Sequence, residues 1–226
     1  DPEAVNYNPD ATDDDGSCTD EEPGSFTELT YELVGYNTVG TMETYRVYAN
    51  FTDPTDQLVA VFGYDEYPLQ ADVTTGFYQN ELGGATPALV NPALFDAFPD
   101  LQYDSWITVG GEDNTADINQ VGIDFTDFEA GNNLVINNVT GGSVFIYPDL
   151  EPTAFPDAEG RVLIGQFTTD GEVELLMNIQ YRTAIGGNPQ ATGLTLLFPD
   201  TPPCIGDWNN DGIISVSDML LVLSEF

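Results

Sequence analysis

Lysine and histidine are absent from this chain, and only three arginines, Arg46, Arg161 and Arg182, stand against 39 aspartates and glutamates. The formal net charge is −36 over 226 residues. Each absence excludes a chemistry. Without His or Lys there is no Ser-His-Asp triad, no Cys-His pair, no Schiff-base lysine and no histidine-ligated zinc. So little positive charge removes nucleic acid and anionic membrane surfaces as partners, because both require a cationic footprint. An apolar run as short as Met219 to Leu223 cannot span a bilayer, which takes about 20 residues. The chain begins at Asp1 without methionine or signal peptide, as expected of a processed, mature fragment. Carboxylates are the remaining chemical equipment, and divalent cations are their natural counter-charge.

The acidity does not amount to disorder. Apolar residues make up 41% and aromatics 12% of the chain, and they fall into alternating runs, whereas disordered acidic chains lack them. Leu29, Tyr31 and Leu33 alternate with Glu28, Thr30 and Glu32. Tyr45, Val47, Ala49 and Phe51 alternate with Arg46, Tyr48 and Asn50. Val173, Leu175, Met177, Ile179 and Tyr181 repeat the pattern. A period of two marks a strand with one buried face. Shorter candidates are Leu58 to Phe62, Leu134 to Ile136, Val144 to Tyr147, Val162 to Phe167 and Leu194 to Phe198, punctuated by Gly, Pro, Asn and Asp. Asn91 to Phe98 reads as a helical turn between strands. Eight to ten strands without long helical patterns predict an all-β fold, a β-sandwich of jelly-roll type. Composition divides the chain into an acidic segment 1–24, the sandwich 25–200, and 201–226, which opens on a stiff Pro-rich linker.

The last segment holds a calcium loop with every ligand position filled. Such loops take side-chain oxygens at positions 1, 3, 5, 9 and 12, a backbone carbonyl at 7 and glycine at 6. Here those positions hold Asp207, Asn209, Asp211, Ser215, Asp218 and Ile213, with Gly212 at the turn. Ca2+ is therefore the expected cofactor. A second candidate site lies in the N-terminal run, with Asn6, Asn8, Asp10, Asp13 and Asp15 as oxygen ligands; the alternative is a solvated acidic tail. From Val216 to Phe226 seven of eleven residues are apolar. A helix apolar on most sides needs burial on most sides, against its own sandwich or another chain.

Gly206 to Phe226 resembles one repeat of a type I dockerin, the EF-hand-like calcium module that plugs into cohesin domains of bacterial extracellular assemblies. Dockerins carry two repeats and this chain has one, which puts a full cohesin-binding face in question. Asp1 to Cys18 resembles a short Cys-bounded acidic repeat, distantly like thrombospondin type 3 calcium repeats. Tyr31 to Phe198 is similar to an uncharacterised β domain recurring in large secreted proteins of marine bacteria and algae. Both terminal resemblances imply cysteine partners just outside this chain, beyond Asp1 and Phe226; the other arrangement pairs Cys18 with Cys204, within one chain or between two. Two cysteines in a secreted protein favour oxidation.

Other candidate chemistry is weaker. Asp124, Asp127 and Glu129 could hold an ion or form a carboxylate pair, but the run reads more simply as a turn with Phe125 and Phe128 inward. Glu172 and Glu174 read as a solvated strand face. Tyr64, Tyr67, Tyr78 and Trp106 are candidates for a sugar-stacking platform, against ordinary packing. Asn50 and Asn138 sit in glycosylation sequons, meaningful in a secreted eukaryotic chain. The expectation is a secreted, calcium-binding structural or adhesive protein, extracellular or at the cell surface. It is no enzyme, and it associates with copies of itself into a filament or matrix. Glycans or a cohesin-like protein are further candidate partners. The alternatives are a carbohydrate-binding module and a calcium-dependent polysaccharide-degrading enzyme.

Overall fold

The computed structural model describes residues 25–36 and 42–199. The expected calcium ligands Asn6, Asn8, Asp10, Asp13, Asp15, Asp207, Asn209, Asp211, Ile213, Ser215 and Asp218 lie outside the described residues, as do Cys18, Cys204 and Val216 to Phe226.

The alternating segments form two antiparallel sheets that bury their apolar faces against each other, an all-β sandwich. Sheet A is ordered β1-β2-β9-β5, from Phe26–Tyr36, Glu43–Phe51, Arg161–Thr169 and Trp106–Ile107. Sheet B contains β3 (Gln57–Gly63), β4 (Leu69–Val73), β6 (Asn119–Val121), β7 (Leu134–Ile136), β8 (Gly142–Phe145), β10 (Val173–Arg182) and β11 (Gln190–Phe198). The core between them holds Val47, Ala49, Ile164 and Phe167 from sheet A and Leu58, Val61, Leu175, Met177, Ile179 and Phe198 from sheet B. Aromatic rings thread it: Phe198 lies 5.4 Å from both Tyr31 and Tyr45 and 5.9 Å from Phe167, which contacts Phe77 at 5.5 Å.

Sheet B contains one broken strand. β3 pairs with residues 178–182 of β10 and β4 with residues 173–176, so the two short strands lie end to end along a single partner. β8 and β7 repeat the arrangement one position further out. Asn178 of β10 ties together the two sides of the break at Tyr64–Pro68. Its Nδ2 donates to the carbonyls of Phe62, Tyr67 and Pro68 at 2.9, 2.8 and 3.1 Å, while its Oδ1 accepts from Gly193 N at 2.8 Å. Gly63 is required at the break, since a Cβ there would come within 2.3 Å of Leu69 N.

Sheet A is covered on its outer face as well. Between β4 and β5 the chain makes three 3-10 turns, Pro87–Leu89, Pro92–Leu94 and Pro99–Tyr103. Each starts on a proline, whose fixed φ and missing N–H suit a first helical position. Val90 from this layer joins outward-facing Tyr48, Trp106 and Leu163 in a second small core, with Phe95 packed on it. This explains why β9 is buried along almost its whole length on both faces.

Candidate functional site

Strand register builds one row across the outer face of sheet A. Glu32 of β1 pairs with Arg46 of β2, Arg46 with Gln166 of β9, and Gln166 with Trp106 of β5. In antiparallel sheets directly paired residues project from the same face, so an acid, a base, an amide and an indole stand side by side. Arg46 donates through Nε to Gln166 Oε1 at 3.1 Å and pairs through Nη1 with Glu112 at 2.7 Å. Gln166 Nε2 donates to the carbonyls of Gln102 and Asp104 at 3.0 and 2.8 Å, tying the covering layer to the sheet.

The adjacent row extends the network. Tyr48 donates to Glu32 at 2.6 Å, and Arg161 pairs with Glu32 at 3.1 Å and with Asp157 at 3.2 Å. The Arg161 guanidinium sits 4.4 Å above the Tyr48 ring, within cation–π range. The hydrogen bond from Tyr48, aided by Arg161 and opposed by burial, holds the Glu32 carboxyl below its ordinary range. Burial, reinforced by the bond to Glu32, pushes the Tyr48 hydroxyl up to about 12. Two of the chain's three arginines thus serve one face.

Two clefts open on either side of the Arg46–Glu112 pair. One, of about 360 Å³, is lined by Phe95, Gln102, Tyr103, Trp106, Asp113 and Gln166 among others. The other, of about 390 Å³, runs past Tyr48, Phe155, Asp157, Arg161 and Leu163. Arg46 and Glu112 line both. Each lies within the roughly 300–1,000 Å³ typical of small-ligand sites. A third cleft, of about 400 Å³, has Glu129 as its single charged wall residue; burial raises the Glu129 carboxyl, against a hydrogen bond from the Ala85 backbone.

The residues singled out from sequence are dispersed. Trp106 is only 1% exposed, a wall of the covered face rather than an open platform. Tyr64 stacks on Phe62 with centroids 6.3 Å apart and meets Tyr67 edge-on at 5.6 Å, and Tyr78 is half-buried on the sheet A side. Asp124 caps a turn by accepting from Thr126 N and Oγ1 at 3.0 and 2.6 Å, and Phe128 is fully buried beneath it. The turn is a short α-helix, α1, Thr126–Glu129. Glu174 is exposed on the outer face of sheet B opposite Asp72, and Glu172 precedes the strand. Asn50 Nδ2 donates to Glu28 O and Thr30 Oγ1, whereas Asn138 is exposed and, among the described residues, uses only its side-chain oxygen, which accepts from Thr140 N and Gly141 N. Of the two sequons, Asn138 is therefore the one with an accessible nitrogen. Among the described residues no group of three or more Cys, Asp or Glu side chains is placed to hold a metal ion.

Arg46, Glu112, Asp113, Arg161 and Gln166 escaped the sequence reading. The available signal was rarity: an arginine in so acidic a chain is a placed charge, and Arg46 stands at an outward position of an alternating strand. No protein family, curated protein or solved structure matches the chain, so its own geometry is the guide to function.

Proposed function

We propose that this chain is a secreted, calcium-binding β-sandwich with a structural or adhesive role outside the cell, associating with copies of itself and turning over no substrate. The carrying observation is a pair of open strand edges on an acidic body. β1 pairs only with β2, and β11 only with β10, among the described strands. The two run beside each other, Tyr31 of β1 stacked on Phe198 of β11 at 5.4 Å. Edges of 11 and 9 residues present unpaired backbone groups that another strand can extend. Leu33, Val34 and Tyr36 of β1 and Leu197 of β11 are exposed along this flank.

Charge supplies the control. Lysine, a common guard of natural edges, is absent, and β1 instead exposes Glu28 and Glu32. Glu32 is already matched by Arg161, so Glu28 and the acidic surface around it repel between copies until a divalent ion neutralises them. The filled loop Asp207–Asp218 supports the same reading, because folding of such a segment is coupled to its ion. Contacts between two different surfaces propagate into filaments unless they close into rings.

Light scattering in millimolar calcium, in chelator, and in sodium chloride of matched ionic strength tests the reading. Multimers are expected in calcium and monomers in both other buffers. A monomer in all three, or equal association in sodium, sinks it, since monovalent salt screens repulsion without filling an oxygen cage. A carbohydrate-binding role is the second reading, favoured by the clefts over sheet A.

A further inference from the structure

We propose that the paired cleft on the outer face of sheet A is a binding site for a neutral saccharide chain, which straddles the Arg46–Glu112 pair. The site develops the second of the two readings above, and binding there does not depend on self-association.

Four observations converge. Two open hollows of about 360 and 390 Å³ share one ion pair, Arg46–Glu112, in their walls. A linear ligand would pass over that pair with a unit on each side. Its polar groups mix donors and acceptors at close range, with guanidinium groups from Arg46 and Arg161, carboxylates from Glu112, Asp113 and Asp157, and the amide of Gln102. A polyhydroxyl ligand needs that mixture, because each hydroxyl both donates and accepts. Apolar surface for a sugar ring is at hand in Tyr103 and Phe95 on one side and Phe155 on the other. Finally, the Trp106 indole N–H, in a residue 1% exposed and lining the first hollow, has no acceptor among the described residues. Buried donors without partners are rare in folded proteins, and each calls for an explanation.

Charge decides the ligand class. Both arginines are already matched by carboxylates, at 2.7 Å for Arg46 and 3.1 to 3.2 Å for Arg161. An anionic polysaccharide would find no free cation there and a net charge of −36 around it. A cationic ligand would be drawn to the acidic surface everywhere and repelled by the guanidinium groups here. A neutral chain keeps both ion pairs and hydrogen-bonds to their open sides. The pairs themselves are half-exposed, Glu112 at 56%, and such surface pairs contribute little to stability. Holding the fold is thus a poor reason for placing two of three arginines on this face.

The test is calorimetry and affinity electrophoresis of the full chain with mixed-linkage β-glucan, xylan and galactomannan as neutral probes. Alginate and dextran sulfate serve as anionic ones, and each is run in calcium and in chelator. Glu112→Ala and Arg46→Ala are compared with Glu174→Ala on the opposite, outer face of sheet B, with circular dichroism confirming the fold. At least one neutral polysaccharide should bind in both buffers, about tenfold or more weakly with either cleft variant and unchanged with Glu174→Ala. Binding of no neutral probe, binding of anionic probes only, or equal binding by wild type and both cleft variants overturns the proposal. Persistence of binding in chelator separates this outcome from the fate of calcium-dependent association.

Discussion

Asp104 is the residue whose environment departs most from its chemistry. It is fully buried, its Oδ1 accepts from Asn80 N at 2.7 Å and its Oδ2 from Gly84 N at 2.8 Å. Burial pushes its carboxyl from 3.8 up to about 7, backbone hydrogen bonds from Asn80, Gly84 and Ser105 oppose the rise, and the charge of Glu129 adds to it. The folded state therefore holds this proton more tightly than the unfolded state. Its stabilising effect is complete below about 4 and is lost as pH rises towards 7, with an upper bound of about 4 kcal/mol at 1.36 kcal/mol per unit. An asparagine in its place could accept from one of the two N–H groups but would turn its own NH2 against the other. Urea unfolding of wild type and Asp104→Asn should thus show a stability gap that is widest near pH 4 and narrows by pH 8. A gap that does not change with pH would contradict the assignment.

At the scale of elements, Asn178 carries the broken strand of sheet B. It serves the carbonyls of Phe62, Tyr67 and Pro68 and the N–H of Gly193, and it is fully buried. Removing it takes this partner from all four groups, at about 1–3 kcal/mol for each one left a buried orphan; Tyr67 O keeps its bond from Tyr64 N at 2.9 Å. Asn178→Leu should destabilise the fold by about 3 kcal/mol in denaturant titrations at neutral pH. Asn178→Asp should cost more, because a carboxylate donates nothing and faces three carbonyl oxygens. An aspartate variant as stable as wild type would mean that the break is held by something else. The covering layer over sheet A follows a different logic: Val90 and Phe95 cap outward Tyr48, Leu163 and Trp106, so the sandwich acquires a partial third layer, and with it the walls of a cleft.

The molecule as a whole is governed by its charge. At −36 self-repulsion opposes both compaction and association, and the three arginines are engaged locally in ion pairs, Arg182 with Asp149 at 2.9 Å. Calcium is the expected remedy. Asp207→Ala combined with Asp211→Ala should lower the calcium stoichiometry by one in titration calorimetry and leave the near-ultraviolet circular dichroism of the sandwich intact, because every strand of sheets A and B falls between Phe26 and Phe198. An unchanged stoichiometry would remove the C-terminal loop from the account. Loss of the sandwich signal would show that the ion supports the whole fold.

What could be read without coordinates follows from periodicity. β2 and β10 run for 9 and 10 residues, long enough for alternation to declare a strand and its buried face, and with them the all-β sandwich; in β1 the alternation marks the strand, but Leu33 of its apolar set is exposed at the sheet edge. The charge imbalance, the excluded chemistries and the ligand spacing of Asp207–Asp218 are likewise properties of the chain alone. β4, β5 and β6, of five, two and three residues, are too short to show a period, and the Pro-Ala-Leu turns over sheet A show none. They form because neighbours already in place supply the ladder or the apolar surface. The cleft was hidden for the same reason. Glu32, Arg46, Gln166 and Trp106 are scattered along the chain and become one row only through the pairing register of four strands. Local sequence can dictate which face a residue points to, because that depends on its immediate neighbours in the strand. Which residues stand beside it depends on contacts between distant segments, and only the packed sheets decide that.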